Sequence, residues 1–551
     1  MQVADYVTEQ LRLWGVKHIY GVAGDAILPW LDVLGKQKEI RYIACRHESA
    51  AAMMATAEAK LTGRPAVCTA TGGPGTLNLI NGLADAYADQ VPVLAITGQV
   101  ETHKLGSNSK QFVPQEDVLR PISLFTTTVA HPEAIGHVLH KAFVTAGSQR
   151  GVAHLAVCKD IFSRSTSWPL VELLPRLHTP VMMDRVEMNH TAELLHRTKR
   201  PVVLLGSGCR QQAALCKRLA EELGAAILLT LGAKGVIDEA HPQVVGGLGE
   251  GGSIAGLSVL AEADLLFILG ASWFPRSFIP AGLQVVQVDH RPVSIHAHPL
   301  LFSVTAELGE VLPLWIQRLE RKESFFPWRA QVEAWHTSFW QETERIVAQG
   351  QDELIKPETL LHALSEVVDE KAVVALDTGE HTLWFNRAFR AKSQFPLFSG
   401  KWRTMGYGLP AAIAAKLNGP DKQVVAVVGD GGLQMNLAEL MTAVENDLRF
   451  PIIVVHNNTL GLEEWKMVQA GLTPFGTRIR NPDFVKWAEA CGVKGNRVET
   501  VKELLPALTE AVHADELRLL DIQCTLPTLT ERKREIPFQA QAPHVYNERK
   551  V

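Results

Sequence analysis

Short apolar runs closed by glycine, aspartate or asparagine alternate along this chain with longer segments whose apolar residues recur at helical spacing. The first set is HIYGVAGD (18–25), IRYIAC (40–45), AVCTAT (66–71) and VPVLAITG (91–98), separated by an alanine-rich helical stretch over 50–60 and the turn GGPG (72–75). PVVLLGSGCR (201–210), AAILLT (225–230), LLFILGAS (265–272) and LQVVQVDH (283–290) repeat the pattern, and AVVALDTGEHT (372–382) opens it a third time. Strands that alternate with helices predict parallel sheets covered on both faces. The fold class expected is α/β, with three doubly wound parallel-sheet domains over 1–165, 180–320 and 355–527 and a tail over 528–551. A linker rich in Ser, Pro and charge fills 161–180, and an amphipathic helical connector with Phe325, Phe326, Trp328, Trp335 and Trp340 fills 320–356. Aromatics at helical spacing are expected to pack, not to form a site.

One stretch carries chemistry as well as pattern. VVAVVGDGG (424–432) is an apolar run that stops at a glycine-rich turn, a helix is expected over 433–446, and a second apolar run (451–455) stops at Asn457 and Asn458. In an open parallel sheet, ligands bind at the carboxyl ends of strands. One crossover returns Asp430 and Asn457 to the same edge. A carboxylate and an amide oxygen there, with the backbone carbonyl of Thr459, suit Mg²⁺ holding a diphosphate, because this ion takes oxygen ligands from few protein groups and from phosphate. Gly431 and Gly432 allow a phosphate to approach the backbone, and the helix start offers free N–H groups.

Composition narrows the classes. Among 551 residues, 46% are hydrophobic and 21% charged, ordinary for globular domains, and a net charge of −5 gives no reason to expect nucleic acid as a partner. The seven cysteines form no CxxC pair, so buried free thiols in a reducing compartment are expected. No run of about 18 apolar residues occurs and the N-terminus lacks a signal-peptide pattern, so a cytoplasmic protein without an integral membrane segment is expected. Prolines 527, 537 and 543 rule out a single amphipathic helix in the tail.

GDG followed by NN at this separation resembles the diphosphate-binding motif of thiamine-diphosphate (ThDP) enzymes. GVAGD, RHESAAAMMATAEAKLTG, GGPGTLNLINGLADAYADQVPVLAITG and GSNSKQFVPQED resemble their pyrimidine-binding domain, and the match extends over nearly the whole chain. The resemblance is to the pyruvate oxidase and acetolactate synthase family, nearest to quinone-linked pyruvate oxidases. It implies that Glu48 hydrogen-bonds the aminopyrimidine ring and favours the tautomer in which the 4′ nitrogen can act as a base. It places Gly24, Asp25, Gly73 and Asn78 at the cofactor, and Gln111 near the substrate. Lys110 stands where the family usually carries Phe; pointing into the pocket, it would favour an anionic substrate group. GKWRTMGYGLPAAIAAKLNG matches the segment against the aminopyrimidine, with Met405 bending the cofactor and a carbonyl near Arg403 accepting from the 4′ amine. Gly429, Asp430, Gly431, Gly432, Asn457, Thr459, Leu460, Gly461 and Leu462 complete the diphosphate side, where Leu462 replaces the Phe of many flavin-dependent oxidases. Trp465 lies one position short of the tryptophan that shapes acceptor choice in acetolactate synthases.

In pyruvate oxidases the central domain holds FAD, and Gly206, Gly208, Lys234, Gly249, Arg276 and Asp289 are the matching candidates. The implied reaction is ThDP- and Mg²⁺-dependent decarboxylation of a 2-oxo acid such as pyruvate, with oxidation of the enamine through FAD by a quinone or oxygen. The alternatives are a carboligase of acetolactate-synthase type, using a second carbonyl substrate, and a non-oxidative decarboxylase. A non-catalytic cofactor-binding oligomer is the distant one, since Glu48, Asp430 and Asn457 are all present. The family builds its sites between two chains, which implies a homo-oligomer, dimer or tetramer.

Overall fold

The computed structural model describes residues 1–172, 183–274, 276–291, 301–319, 326–348 and 355–525. The tail lies outside these residues, as do parts of both expected linkers. Three six-stranded sheets account for the described strands, and every pair of neighbouring strands is parallel. The α/β expectation holds in all three.

In the N-terminal sheet the spatial order is Arg41–Ala44, His18–Gly21, Ala66–Ala70, Val93–Gln99, Val152–Cys158, Phe125–Val129. The C-terminal sheet repeats that order with Phe395–Leu397, Val373–Leu376, Val424–Gly429, Pro451–His456, Arg518–Gln523 and Lys494–Val498. In each, the chain reverses direction across the sheet between its second and third strands, and that crevice is where an open sheet takes its ligand. The central sheet differs. Its order, Leu301–Thr305, Gln284–Asp289, Leu265–Leu269, Pro201–Leu205, Ala226–Leu229, Val244–Gly247, is that of dinucleotide-binding folds.

The N- and C-terminal layers share one hydrophobic core. Its seam is the helix Glu48–Thr62, which is buried from Ala50 to Ala59, against the helix Gly408–Asn418. A helix that is apolar all round must be covered all round, and alanine lets neighbours come close. A Cβ on Gly82, in the helix Pro74–Ala88, would stand 2.5 Å from that of Ala52. Buried polar groups cross the same seam. Lys60 Nζ meets Asp85 (3.0 Å), Asp89 (2.8 Å) and the carbonyl of Phe398 (2.7 Å). Ser399 donates to Asp85, and the amides of Gly400 and Lys401 donate to Asp89. Asn418 donates to Glu58, which also accepts from Tyr20. Paired in this way, the buried charges tie the loop that leads into Arg403 to the N-terminal layer.

Of the connector, residues 326–348 form one helix, with Trp328, Val332, Phe339 and Trp340 buried and Trp335 edge-on to Trp328, so these three tryptophans pack as expected; Phe325 and the side chain of Phe326 lie outside the description. The seven cysteines are free thiols, five of them buried. Among the described residues no helix is long and apolar enough to cross a membrane.

Candidate active site

The diphosphate motif folds as strand, turn and helix, with two corrections. The helix starts at Asp430 itself, and it does not run unbroken to 446. It stops at Met435, and a second helix spans Glu439–Glu445. Asn436 causes the break by turning its side-chain amide out of the helix to the carbonyl of Gly406 at 2.7 Å. Asparagine competes for backbone partners in this way, which makes it a poor mid-helix residue.

Asp430 is 3% exposed and surrounded by donors. Its Oδ1 accepts from the amide of Gly431 (2.8 Å), and its Oδ2 from the amides of Asn457 (3.2 Å) and Asn458 (2.7 Å) and from Asn481 Nδ2 (2.8 Å). The expected partners Asp430 and Asn457 are thus brought together. Asn457 Oδ1 receives the amide of Thr459 at 3.1 Å, and the carbonyl of Asn458 and the amide of Leu460 bond to Ile479 and Thr477. This fixes the turn that presents Thr459. A carboxylate oxygen has room for more than one partner, so Asp430 Oδ1, the Asn457 amide oxygen and the Thr459 carbonyl fit a cation that completes its shell with phosphate and water. Among the described residues no group of three or more His, Cys, Asp or Glu could hold a metal alone, and the expected ligand set, with one carboxylate, would not form such a group.

Gly431 lies under three apolar side chains: a Cβ there would stand 2.8 Å from Leu460 Cδ2, 3.2 Å from Ile479 Cδ1 and 3.5 Å from Met405 Cε. Met405 therefore reaches the diphosphate turn. Its loop is held from below by Asp377, which ends the strand Val373–Leu376 beside Asp430's own. The carboxylate accepts the amides of Thr378 (2.6 Å), Gly406 (2.9 Å) and Gly408 (3.3 Å), and a Cβ on Gly432 would meet it at 2.8 Å. Burial pushes its pKa up to about 6, against the pull of those amides. Next to it, His381 bonds the Asp377 carbonyl, and its ring would lie 3.2 Å from a Cβ on Gly429. Burial lowers the pKa of His381 to about 4, so it is a neutral ring at the turn. Burial also opposes a charge on His456, but the hydrogen bond and charge of Asp521 at 2.7 Å outweigh it and its pKa is raised.

Sequence reasoning missed Asp377, His381 and Asn481. Asp377 carried a usable signal, since DTG ends an apolar strand as GDG does. Asn481 carried none: it comes from a loop and joins Asp430, His456 and Asn458 only through the fold.

The N-terminal group sits at the corresponding crevice of its own sheet. Glu48 opens the helix Glu48–Thr62, half-buried, and accepts from Asn78 Nδ2 at 2.9 Å. A Cβ on Gly75 would lie 3.2 Å from its Oε1. Gly24 packs on Thr71, and Asp25 is exposed and paired with Lys159 at 2.7 Å. Gly73 (φ +62°) lies against the backbone of Gln111, which is itself held at φ +64°. A side chain with a Cβ rarely adopts that conformation. Lys110 and Gln111 are both exposed in the single chain.

On the carboxyl side of the central sheet, a cavity of about 320 Å³ opens toward the C-terminal layer, lined by Leu231, Gly249, Trp273, Phe274, Asn386 and Arg403 among others. Asn386 is buried, and its side-chain oxygen has no hydrogen-bond partner among the described residues. Of the six FAD candidates, Gly249 lines this cavity and Arg276 starts the short turn Arg276–Phe278 beside it. Gly206 and Gly208 lie against Gly270 at the reversal point of the sheet. Asp289 is buried at its strand end with His290 at 3.1 Å. Lys234 does not face a ligand crevice. Its side chain is 1% exposed, with Nζ bound to both oxygens of Glu239 (2.8 and 2.9 Å) and to the Asn386 carbonyl (3.1 Å), because a buried ammonium needs acceptors on every side. Trp465 is buried in the C-terminal core, and Leu462 packs against that core.

Three family descriptions match the chain in order: thiamine pyrophosphate enzyme, N-terminal TPP binding domain, over residues 1–119; central domain, over 188–313; and C-terminal TPP binding domain, over 377–522. YdaP of Bacillus subtilis, described as thiamine pyrophosphate-containing, is 34% identical over 525 residues, 94% of this chain and 90% of its own. The acetolactate synthase isozyme 1 large subunit of Escherichia coli is 33% identical over 482 residues, covering 83% and 82%. The acetolactate synthase large subunit IlvB1 of Mycobacterium tuberculosis is 31% identical over 536 residues, covering 92% and 85%. With both ThDP layers, the central layer and the order of all three matched, the chain belongs to the thiamine-diphosphate-dependent enzymes of the pyruvate oxidase and acetolactate synthase family and is a 2-oxo acid decarboxylating enzyme.

Proposed function

We propose that this enzyme decarboxylates a 2-oxo acid of the pyruvate class and transfers the remaining fragment to a second 2-oxo acid or aldehyde, as a carboligase of acetolactate-synthase type. The observation that carries this reading is the similarity to acetolactate synthase large subunits along more than four-fifths of both chains, central layer included. Bound ThDP supplies the electron sink for loss of CO₂. Asp430, Asn457 and Thr459 would hold its diphosphate through Mg²⁺, with the ring of His381 beside the turn. Glu48, oriented by Asn78, would share a proton with the ring nitrogen and so set the tautomer. Met405 would fix the bend that brings base and proton together.

Lys110 and Gln111 are proposed to face the substrate once a second chain covers them. Support for a homo-oligomer comes from large apolar side chains left exposed next to site residues: Leu77 beside Asn78, Trp402 beside Arg403, and Met435 at the end of the diphosphate helix. FAD is proposed for the cavity between the central and C-terminal layers. The dinucleotide-type strand order, the aromatic rings of Trp273, Phe274 and Phe278 in the lining and the unpartnered acceptor of Asn386 all suit a flavin, whose ring carries an N–H donor.

A flavin serves either of two outcomes, so the oxidase reading remains the second one. Product analysis separates them. The holoenzyme with ThDP, Mg²⁺, FAD and pyruvate is expected to yield acetolactate while the yellow flavin colour persists without oxygen. Acetate formed as the flavin bleaches would overturn the carboligase reading in favour of the oxidase. Free acetaldehyde alone would make it a plain decarboxylase.

A further inference from the structure

The turn that precedes Glu48 is held by the opposite layer of the same chain. Glu439 begins the helix Glu439–Glu445, and a carboxylate there would ordinarily serve its own helix N-terminus. Instead its Oε1 crosses the seam and accepts the backbone amides of Arg46 (2.9 Å) and His47 (3.0 Å), the two residues before Glu48. Its Oε2 accepts from Thr442 Oγ1 at 2.7 Å, and the side chain is 1% exposed. Arg46 adds an ion pair to Glu445, at the far end of the same helix, at 2.7 Å. His47 then caps the helix Glu48–Thr62 through the amide of Ser49. The break that frees Glu439 from the Asp430 helix also contains Asn436, which holds the carbonyl of Gly406 beside Met405. One short connection therefore holds the backbone next to both residues assigned to the pyrimidine ring.

We propose that Glu439 is a positioning residue for Glu48. It fixes the two amides from which the helix start, and with it the acid, takes its direction. The proposal rests on the reading of Glu48 as the group that sets the pyrimidine tautomer. A displacement of about 1 Å at a reacting group can cost about 100-fold in rate, so a clamp one peptide bond away has leverage.

The test compares Glu439→Ala and Glu439→Gln in the full-length protein, with Glu48→Gln as the control. Glutamine keeps an oxygen for the two amides; alanine leaves them without an acceptor. Without coenzyme, hydrogen–deuterium exchange in the peptide spanning residues 44–50 is expected to speed up in Glu439→Ala and to stay near wild type in Glu439→Gln. With ThDP and Mg²⁺ bound, the exchange rate of the coenzyme's C2 proton, read by quenched NMR, is expected to fall about 10- to 100-fold in Glu439→Ala. The affinity for ThDP should change by less than about twofold, since the Asp430 anchor is a separate site. Glu439→Gln should recover most of the C2 rate.

Wild-type C2 exchange in Glu439→Ala overturns the proposal, and so does a loss shared equally by both variants and by ThDP affinity, which would mark a purely structural role. If the alanine variant does not fold, Glu439→Asp takes its place: one methylene short of the amides, it must exchange C2 more slowly than Glu439→Gln, and equal rates count against the proposal. The premise fails separately. If Glu48→Gln itself exchanges the C2 proton at the wild-type rate, the role of Glu48 is wrong, whatever Glu439 does.

Discussion

The two ends of the proposed site are built to different degrees within one chain. At the diphosphate end, Asp430 is buried, meets four donors and sits in a turn fixed by backbone bonds to a neighbouring loop. At the pyrimidine end, Glu48 is half-buried and accepts a hydrogen bond from the side chain of Asn78, and Asn78, Lys110 and Gln111 are exposed. An anchor for a permanent, highly charged group gains from being rigid before the group arrives, because ordering costs are then not charged against binding. An acid that must share a proton with a ring has to be directed more than enclosed, and its enclosure can come from another surface.

The sharpest way to break this contrast is to separate binding from activation. Glu48→Gln is isosteric and can keep the bond from Asn78, but it cannot hold the ring proton as a carboxylate does. Turnover is expected to fall by about 1,000-fold, in the middle of the range for general acid–base groups, while ThDP affinity measured by calorimetry stays near wild type. Loss of affinity in proportion to turnover would mean that the pyrimidine end is a binding element like the other, and the contrast would disappear.

Beneath the anchor, Asp377 gives a second, smaller effect that depends on pH. Its carboxyl is fully buried with a pKa of about 6, raised by burial above its ordinary value near 4. The native state therefore holds a proton between about pH 4 and pH 6 that the unfolded chain releases. The stabilising contribution is complete below about pH 4 and is lost as pH rises through 6, by about 3 kcal/mol in order of magnitude. Asp377→Asn removes the titration and imitates the protonated form. The melting temperature of the wild type relative to this variant is expected to drop between pH 4 and pH 6.5; a constant difference would show that the amides of Gly406 and Gly408 already pay for the charge.

How much of this was legible in the chain follows from how far each signal travels. The alternation of apolar runs and helical segments is local, so the three α/β layers and the strand–turn–helix at Asp430 could be read directly. Asp430 and Asn457 were readable because one crossover returns them to one edge. The break at Asn436 was hidden by an unbroken helical pattern, and only the side chain's bond to Gly406 explains it. Lys234 is a flavin candidate only through the family resemblance, and no local pattern records that Glu239 and the carbonyl of Asn386 take up its ammonium. Glu439 and Asn481 act on residues far along the chain, and no periodicity records such pairings.

Asn481 gives the smallest effect and the finest test of the anchor. Its Nδ2 donates to Asp430 Oδ2 at 2.8 Å and lies 3.0 Å from Asn458 Oδ1, while Gln434 donates to its Oδ1. Asn481→Ala removes one of four donors to a buried carboxylate and leaves the three backbone amides in place. A hydrogen bond to a charged group contributes about 1.5–3 kcal/mol, but water can enter the space vacated by a half-buried loop residue and recover part of it. ThDP and Mg²⁺ affinity is therefore expected to weaken by about 3- to 10-fold, with turnover at saturating coenzyme unchanged. Asn481→Asp sets a second carboxylate against Asp430 and should first weaken the coenzyme-free protein, then be partly rescued by Mg²⁺, since the cation relieves the repulsion between the two. If the alanine variant lowers saturated turnover instead of affinity, the diphosphate end is not a passive anchor, and the division of labour between the two ends of the site is wrong.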